Sequence, residues 1–336
     1  MKTKLFLGLS SLIILAILSG CTDKRKELES ATQESASVIN QEFVNIRIAV
    51  NDFKTSIEGV VNNLGSLDLS TDKLDVSQGG LFKMFPENKY YYKTLAEGSC
   101  FYLSPGKPLE EGMKKELRIQ QYLEPFAQKA SATSKNIGMV FYGVHDPWTI
   151  AIMDPWIDVV SIFPPGVDLR YFEWYNRGLK SPGEALWSEK PFTDLATGWV
   201  MDVSVPIKTP DGIRGVSVIS LNMSKLQRNF FQPRKDNLIL LGSDLTIVGS
   251  TLGAKELLGI KLLEDFDFVK QMKENTFAPD EFKLASETQP PLVQEIAKKI
   301  SAGQNIFDVG DGTNTLAVQV EKVPETDFYL IGLVRI

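Results

Sequence analysis

The sequence predicts an α+β fold, with one long N-terminal helix followed by two modules of antiparallel strands and flanking helices. Three observations lead there. An apolar stripe recurs at helical spacing near the N-terminus. From Ile137 onward the pattern changes to short β-prone runs punctuated by Pro, Gly and Asp. These runs follow one another through turn signals instead of alternating with helices, which argues against a βαβ sheet.

Composition narrows the function classes. With 43% hydrophobic and 23% charged residues, the 336-residue chain can bury a sizeable core, and two domains are the natural division. A net charge of −6 makes nucleic acid a poor partner, because phosphate binding shows as a basic excess. His145 is the only histidine, which removes chemistry that needs several imidazoles. Cys21 and Cys100 alone cannot build a zinc site. Neither G-x-S-x-G, H-E-x-x-H nor P-loop spacing occurs. The expectation is a non-enzymatic chain without metal or cofactor.

The elements follow in order. Lys2 and Lys4 precede an apolar run, Leu5–Leu18, too short for a comfortable membrane span. It ends in Leu18-Ser19-Gly20-Cys21. This pattern resembles the signal and lipobox of bacterial lipoproteins, which implies removal of residues 1–20 and lipidation of Cys21. The mature net charge would be −8, since only Lys2 and Lys4 are lost. Cys100 would then be the remaining thiol, expected to be buried and inert because neither a base nor a basic cluster adjoins it. Residues 21–38 read as the lipidated cysteine and a polar tether.

A long helix is predicted within residues 39–78. Its stripe is Ile39, Phe43, Ile46, Val50, Phe53, Ile57, Val60 and Leu64, with steps of four and three residues. Intrachain packing is the favoured use of this stripe, and a homodimer seam is the alternative. A second helix is expected over Glu110–Ala132. Strands are expected at Ile137–Val144, Trp148–Met153 and Ile157–Phe163, then a helix at Phe172–Leu179 and a hairpin of Trp199–Ile207 with Gly215–Asn222. These fill a first module, residues 79–228. A smaller module, 229–336, takes strands at Asn237–Leu241, Leu245–Ser250, Asn305–Val309, Thr315–Val323 and Phe328–Ile336. It also carries a helix at Pro291–Ala302 and a turn at Gly310-Asp311-Gly312.

Within the first module, Asp168-Leu169-Arg170-Tyr171-Phe172-Glu173-Trp174-Tyr175, Trp187-Ser188-Glu189-Lys190-Pro191-Phe192-Thr193-Asp194, Thr197-Gly198 and Val203–Ile207 fall in a specific order before the Gly215–Leu226 segment. That order resembles the double Cache sensor family, extracytoplasmic tandem PAS-like domains found on chemoreceptors, histidine kinases and diguanylate cyclases. The resemblance covers the mature chain, although the smaller module matches only in pattern. It implies a small-molecule site in the first, membrane-distal module, formed by Phe172, Trp174, Tyr175, Phe192, Asp194 and Ser220. Trp148, Trp156, Trp174, Trp187 and Trp199 are the only tryptophans, and their concentration suggests aromatic walls in the same region.

Two departures from the family pattern redirect the ligand. Phe172 stands where amino-acid-binding members place a carboxylate-clamping arginine, and Ser220 stands where they place an ammonium-binding aspartate. A phenyl ring makes no bidentate fork, and a hydroxyl carries no counter-charge. Asp194 is the candidate polar anchor, with an Asx-turn as its other reading. Arg170 suits a local salt bridge at least as well as a ligand. Asp202 and Ser204 alternate with apolar residues, so one face of their strand is polar; it either lines the pocket or faces solvent, and solvent is the expectation. A neutral or cationic ligand is therefore expected over a free amino acid.

The functional expectation is a lipid-anchored extracytoplasmic sensor that signals through a separate membrane partner. The alternative is an assembly lipoprotein that docks by its N-terminal helix. Thr22 after the cysteine favours the periplasmic face of an outer membrane, if the host has one.

Overall fold

The computed structural model describes residues 4–70, 82–85, 90–93, 98–104, 110–144, 149–157, 168–194, 197–262, 279–310 and 315–336. The Cys21 side chain, His145, Trp148, most of the expected Ile157–Phe163 strand and the Asp311-Gly312 turn lie outside them. The architecture is α+β, with two antiparallel sheets and a long N-terminal helix. The chain divides into two compact units: residues 42–226 form one, and residues 1–41 with 227–336 form the other. Among the described residues no helix is long and apolar enough to cross a membrane.

Helix α1 runs over Lys4–Asn62. Ile39, Phe43, Ile46, Val50, Phe53 and Ile57 are buried within the chain, as intrachain packing requires, while Val60 and Leu64 are half-buried. The stretch read as a tether is helical, and Thr32, Ser35 and Ala36 on it are buried. The physical reason is close approach to a sheet. A Cβ on Gly332 would meet Leu28 Cδ1 at 2.9 Å and Thr32 Cβ at 3.2 Å, so small hydroxyl residues replace the large apolar ones further on.

The larger unit is built on a sheet of nine strands. They are β1 (Phe82–Phe85), β2 (Tyr90–Lys93), β3 (Cys100–Ser104), β4 (Ile137–Val144), β5 (Thr149–Asp154), β6 (Leu186–Trp187), β7 (Phe192–Asp194), β8 (Gly198–Thr209) and β9 (Gly212–Asn222). Their order is β1-β2-β3-β5-β4-β9-β8-β6, and β7 also pairs with β8. Helix α2 (Glu111–Ser131) packs on β3, β4 and β5, and its Met113, Leu117, Leu123 and Ala127 are buried. Helix α3 (Glu173–Lys180) packs on β8 and β9. Cys100 is fully buried. Strands β1–β3 were not expected from the sequence, although the aromatic runs Tyr90-Tyr91-Tyr92 and Phe101-Tyr102 favour a pleated, half-buried surface.

The smaller unit contains β10 (Asn237–Leu241), β11 (Ile247–Ser250), β12 (Ile306–Gly310), β13 (Thr315–Val323) and β14 (Phe328–Arg335), ordered β11-β10-β14-β13-β12. Helices α4 (Leu252–Leu258) and α5 (Pro291–Ser301) belong to the same unit. Ala254, Val293, Ile296 and Ala297 join Ile239, Val318 and Ile331 in one core. Helix α4 also escaped the sequence reading. Its signals were the Thr251 side chain, which caps the Ala254 N–H, and Gly259, which ends the helix at φ 64°.

Candidate functional site

Strand pairing fixes which side chains share a face of the larger sheet. Asp202 on β8 stands opposite Ser220 on β9, and Ser204 stands opposite Val218. Met139 and Phe141 of β4 continue the row. On the other edge of β8, Phe192 pairs with Val200 and Asp194 with Gly198. Because residues directly opposite each other project to one side, Phe192, Asp194, Asp202, Ser204 and Ser220 share a face.

Helix α3 covers that face. Phe172 precedes its first turn, and Phe172, Trp174 and Tyr175 pack with Phe141, Met153, Leu169, Val216 and Val218. The Trp174 ring meets Phe141 edge-on at a centroid distance of 4.7 Å and Tyr175 at 5.4 Å. Phe172 lies 6.2 Å from Trp174. The helix comes close because Gly178 has no side chain: a Cβ there would sit 2.8 Å from Val216 Cγ2. All six residues implied by the resemblance thus belong to this face or to the helix end packed on it.

The tryptophans do not form a single group. Trp156 and Trp174 pack on the α3 side. Trp187, opposite Val203, meets Phe43 of α1 edge-on at 5.2 Å. Trp199 is buried and precedes Val200, so alternation along β8 sends it to the same side as Val203. Closeness in sequence could not reveal this division, since a one-residue offset in a strand reverses the face.

The polar residues also sort differently from the expectation. Asp194 Oδ1 accepts from the Thr197 N–H and hydroxyl, both at 2.8 Å, which closes a local turn. Arg170 pairs with Asp168 two residues earlier through Nε and Nη2, at 2.9 and 2.7 Å, and is exposed. Asp202 and Ser204 are buried, contrary to the expected exposure. The reason is coverage. Strand β9 lies on one side of β8, β6 and β7 on the other, and α3 lies above.

Asp202 is the unusual group. It is 3% exposed, and its Oδ1 is buried without a hydrogen-bond partner among the described residues. Burial pushes its carboxyl up to about 7, against the opposing pull of the Ser220 hydroxyl and the Arg177 guanidinium. The carboxylates of Asp194 and Glu173 add to the rise. Arg177 on α3 donates to Ser204 Oγ at 3.1 Å and pairs with Glu173 at 2.9 Å. Ser188 brackets the Asp202 backbone, its N–H donating to the Asp202 carbonyl and its Oγ accepting from the Asp202 N–H. Arg177 and Ser188 were not candidates in the sequence, and Asp202 entered it only as a residue of a polar strand face that lines either the pocket or the solvent. The available signal was the polar alternation of Asp202 and Ser204 within an otherwise apolar strand. Among the described residues, no group of His, Cys, Asp or Glu could hold a metal ion.

Neither a family model nor a curated protein matches the chain. Among solved structures, the chain is similar to the sensory domain of the Campylobacter jejuni chemoreceptor Tlp3 with isoleucine bound. Identity is 12%, over 91% of this chain and 93% of that one, with a TM-score of 0.47. Another structure of the Tlp3 sensory domain gives 12% identity, coverage of 91% and 94%, and a TM-score of 0.49. The ligand-binding domain of the Pseudomonas fluorescens chemoreceptor CtaA, in complex with L-isoleucine, gives 18% identity, coverage of 64% and 75%, and a TM-score of 0.40.

Proposed function

We propose that the chain is an extracytoplasmic sensor of the double Cache type, which binds a small molecule between α3 and the sheet of its larger unit. The observation that carries this reading is one sheet face that gathers aromatic walls and polar groups. Trp174 and Tyr175 of α3 pack there, and Asp202 and Ser220 lie opposite each other on the strands beneath. Aromatic walls with a few convergent polar groups suit small-molecule recognition. The motif order from Asp168 to Leu226 supports the same assignment. The reading is of a binding module, not a catalyst.

The lipobox before Cys21 supports anchoring of the mature chain to the cell envelope, with a separate membrane protein as the signalling partner. Docking through the N-terminal stripe has less to recommend it, since six of the eight stripe residues are buried in the chain's own units. A thermal-shift screen of residues 22–336 against small-molecule libraries tests the proposal. A ligand at about 100 times its Kd adds about 2.7 kcal/mol to stability. Absence of any stabilising compound, with capture of a stoichiometric envelope protein instead, would reverse the choice between sensor and assembly factor.

A further inference from the structure

We infer that Asp202, and not Asp194, anchors the ligand of the α3 face, and that this ligand carries a positively charged nitrogen with at least one N–H. The inference rests on the sensor reading above and specifies its chemistry. Three observations lead to it. Asp194 already spends Oδ1 on the Thr197 backbone and hydroxyl, an arrangement that closes a turn without any ligand. Asp202 sits deeper, and its Oδ1 is buried with no donor among the described residues. An acceptor in that condition calls for an N–H or O–H donor from elsewhere.

Charge balance selects a cation. The charged groups that act on Asp202 are Arg177 and Glu173 from α3 and Asp194 from β7, while β9 contributes the neutral Ser220 and the segment after β6 the neutral Ser188. With Asp202 ionised, its carboxylate and that of Asp194 outnumber the one guanidinium, while Glu173 is exposed on the outer side of α3 and already paired with Arg177. Arg177 is itself paired with Glu173 and bonded to Ser204. The aromatic rings of Phe172, Trp174 and Tyr175 on the covering side favour positive charge further. The register places Asp202 directly opposite Ser220. The negative charge missing from β9 is therefore present one strand away, on the same face.

This anchor ties binding to protons. An ammonium pairs with the ionised carboxylate, and the empty site holds Asp202 largely protonated below about pH 7. Binding then releases a proton, and affinity climbs with pH until Asp202 is ionised in the free protein. Between about pH 6 and about pH 8 the expected gain is roughly tenfold.

The test uses the full chain in detergent, with isobutylamine and phenethylamine as probes and isobutanol and phenethyl alcohol as uncharged counterparts. Calorimetric titration is expected to detect at least one amine, to reject its alcohol, and to give the tenfold rise with pH. Asp202→Asn keeps the shape and removes the charge, and is expected to weaken the amine by at least about tenfold and abolish the pH dependence. Should that variant fail to fold, the wild-type pH slope and the amine–alcohol contrast still decide. Equal binding of an amine to wild type and Asp202→Asn, or no amine binding at all, overturns the inference. If a non-amine from the thermal-shift libraries binds while the amines do not, the sensor reading stands without it. If nothing binds, both fall.

Discussion

The Trp174 ring lies over Gly143: a Cβ on that glycine would come 3.2 Å from Trp174 Cη2 and 2.7 Å from Leu169 Cδ1. Leu169 and Phe141, whose Cε1 would come to 2.8 Å, occupy the volume that a side chain at this position of β4 would fill, and the indole closes tightly over them. Gly143→Ala is expected to displace Leu169 and Phe141, and through them the Trp174 ring, and to destabilise the chain by about 1–3 kcal/mol, the usual range for overpacking. Urea denaturation gives the energy, and tryptophan fluorescence reports the ring. An unchanged midpoint and spectrum would mean that the ring yields freely.

Gly178 plays the same part for the whole of α3. The β-branched Val216 beneath it is stiff about χ1 and cannot move aside at small cost. Gly178→Ala is expected to lift α3 from β9, lowering stability by about 1–3 kcal/mol and loosening any ligand held below the helix. A substitution that leaves both melting temperature and ligand affinity untouched would contradict this packing.

Asp202 makes stability depend on pH with a definite sign. Its carboxyl is raised from 3.8 to about 7 on folding, so in that interval the folded chain binds more protons than the unfolded one. Its contribution is full below about pH 4 and is lost as pH rises through about 7. Asp202→Asn removes this component. The difference in melting temperature between variant and wild type should therefore grow in the variant's favour from about pH 4 to about pH 7. A difference that does not vary with pH would mean that Asp202 is ionised throughout.

On the opposite face of the sheet, Arg214 of β9 pairs with Glu116 of α2, both largely buried. Tyr142 beside them is held above the usual phenol range, first by burial and then by the Glu116 charge. Glu116→Gln leaves the guanidinium without its counter-charge and is expected to cost about 1.5–3 kcal/mol. Combining it with Arg214→Met should cost less than the sum of the two single changes. Strict additivity in denaturant titrations would show the pair to be energetically independent.

Phe43 ties α1 to the larger unit through Trp187 and is fully buried. Phe43→Ala is expected to cost about 3–5 kcal/mol, as for other large core truncations. A dimer-seam role would instead appear as a concentration-dependent melting temperature, which this packing does not predict.

The sequence alone determined the elements whose signal is local. The helical spacing from Ile39 to Ile57 marked the buried face of α1, because side chains three and four apart share a helix side. Strands β4, β9, β10, β13 and β14 were legible from β-prone runs between turn residues, and α3 lay within one residue of its expected bounds. Of the six residues implied by the resemblance, Phe192, Asp194 and Ser220 share a sheet face, and Phe172, Trp174 and Tyr175 lie at the helix end packed on it.

Tertiary structure alone decided the rest, because burial depends on what covers a strand. Asp202 and Ser204 look amphipathic in sequence, and only α3 above with β6 and β7 alongside turns their polar face inward. Thr32 and Ser35 look like a solvated tether, and only tertiary contacts bury them, the close approach at Gly332 for Thr32 and Arg234 beside Ser35. The tryptophans look like one group until register divides Trp174 from Trp187. A local pattern fixes which residues share a side, whereas the chain's long-range pairing fixes whether that side meets water or protein.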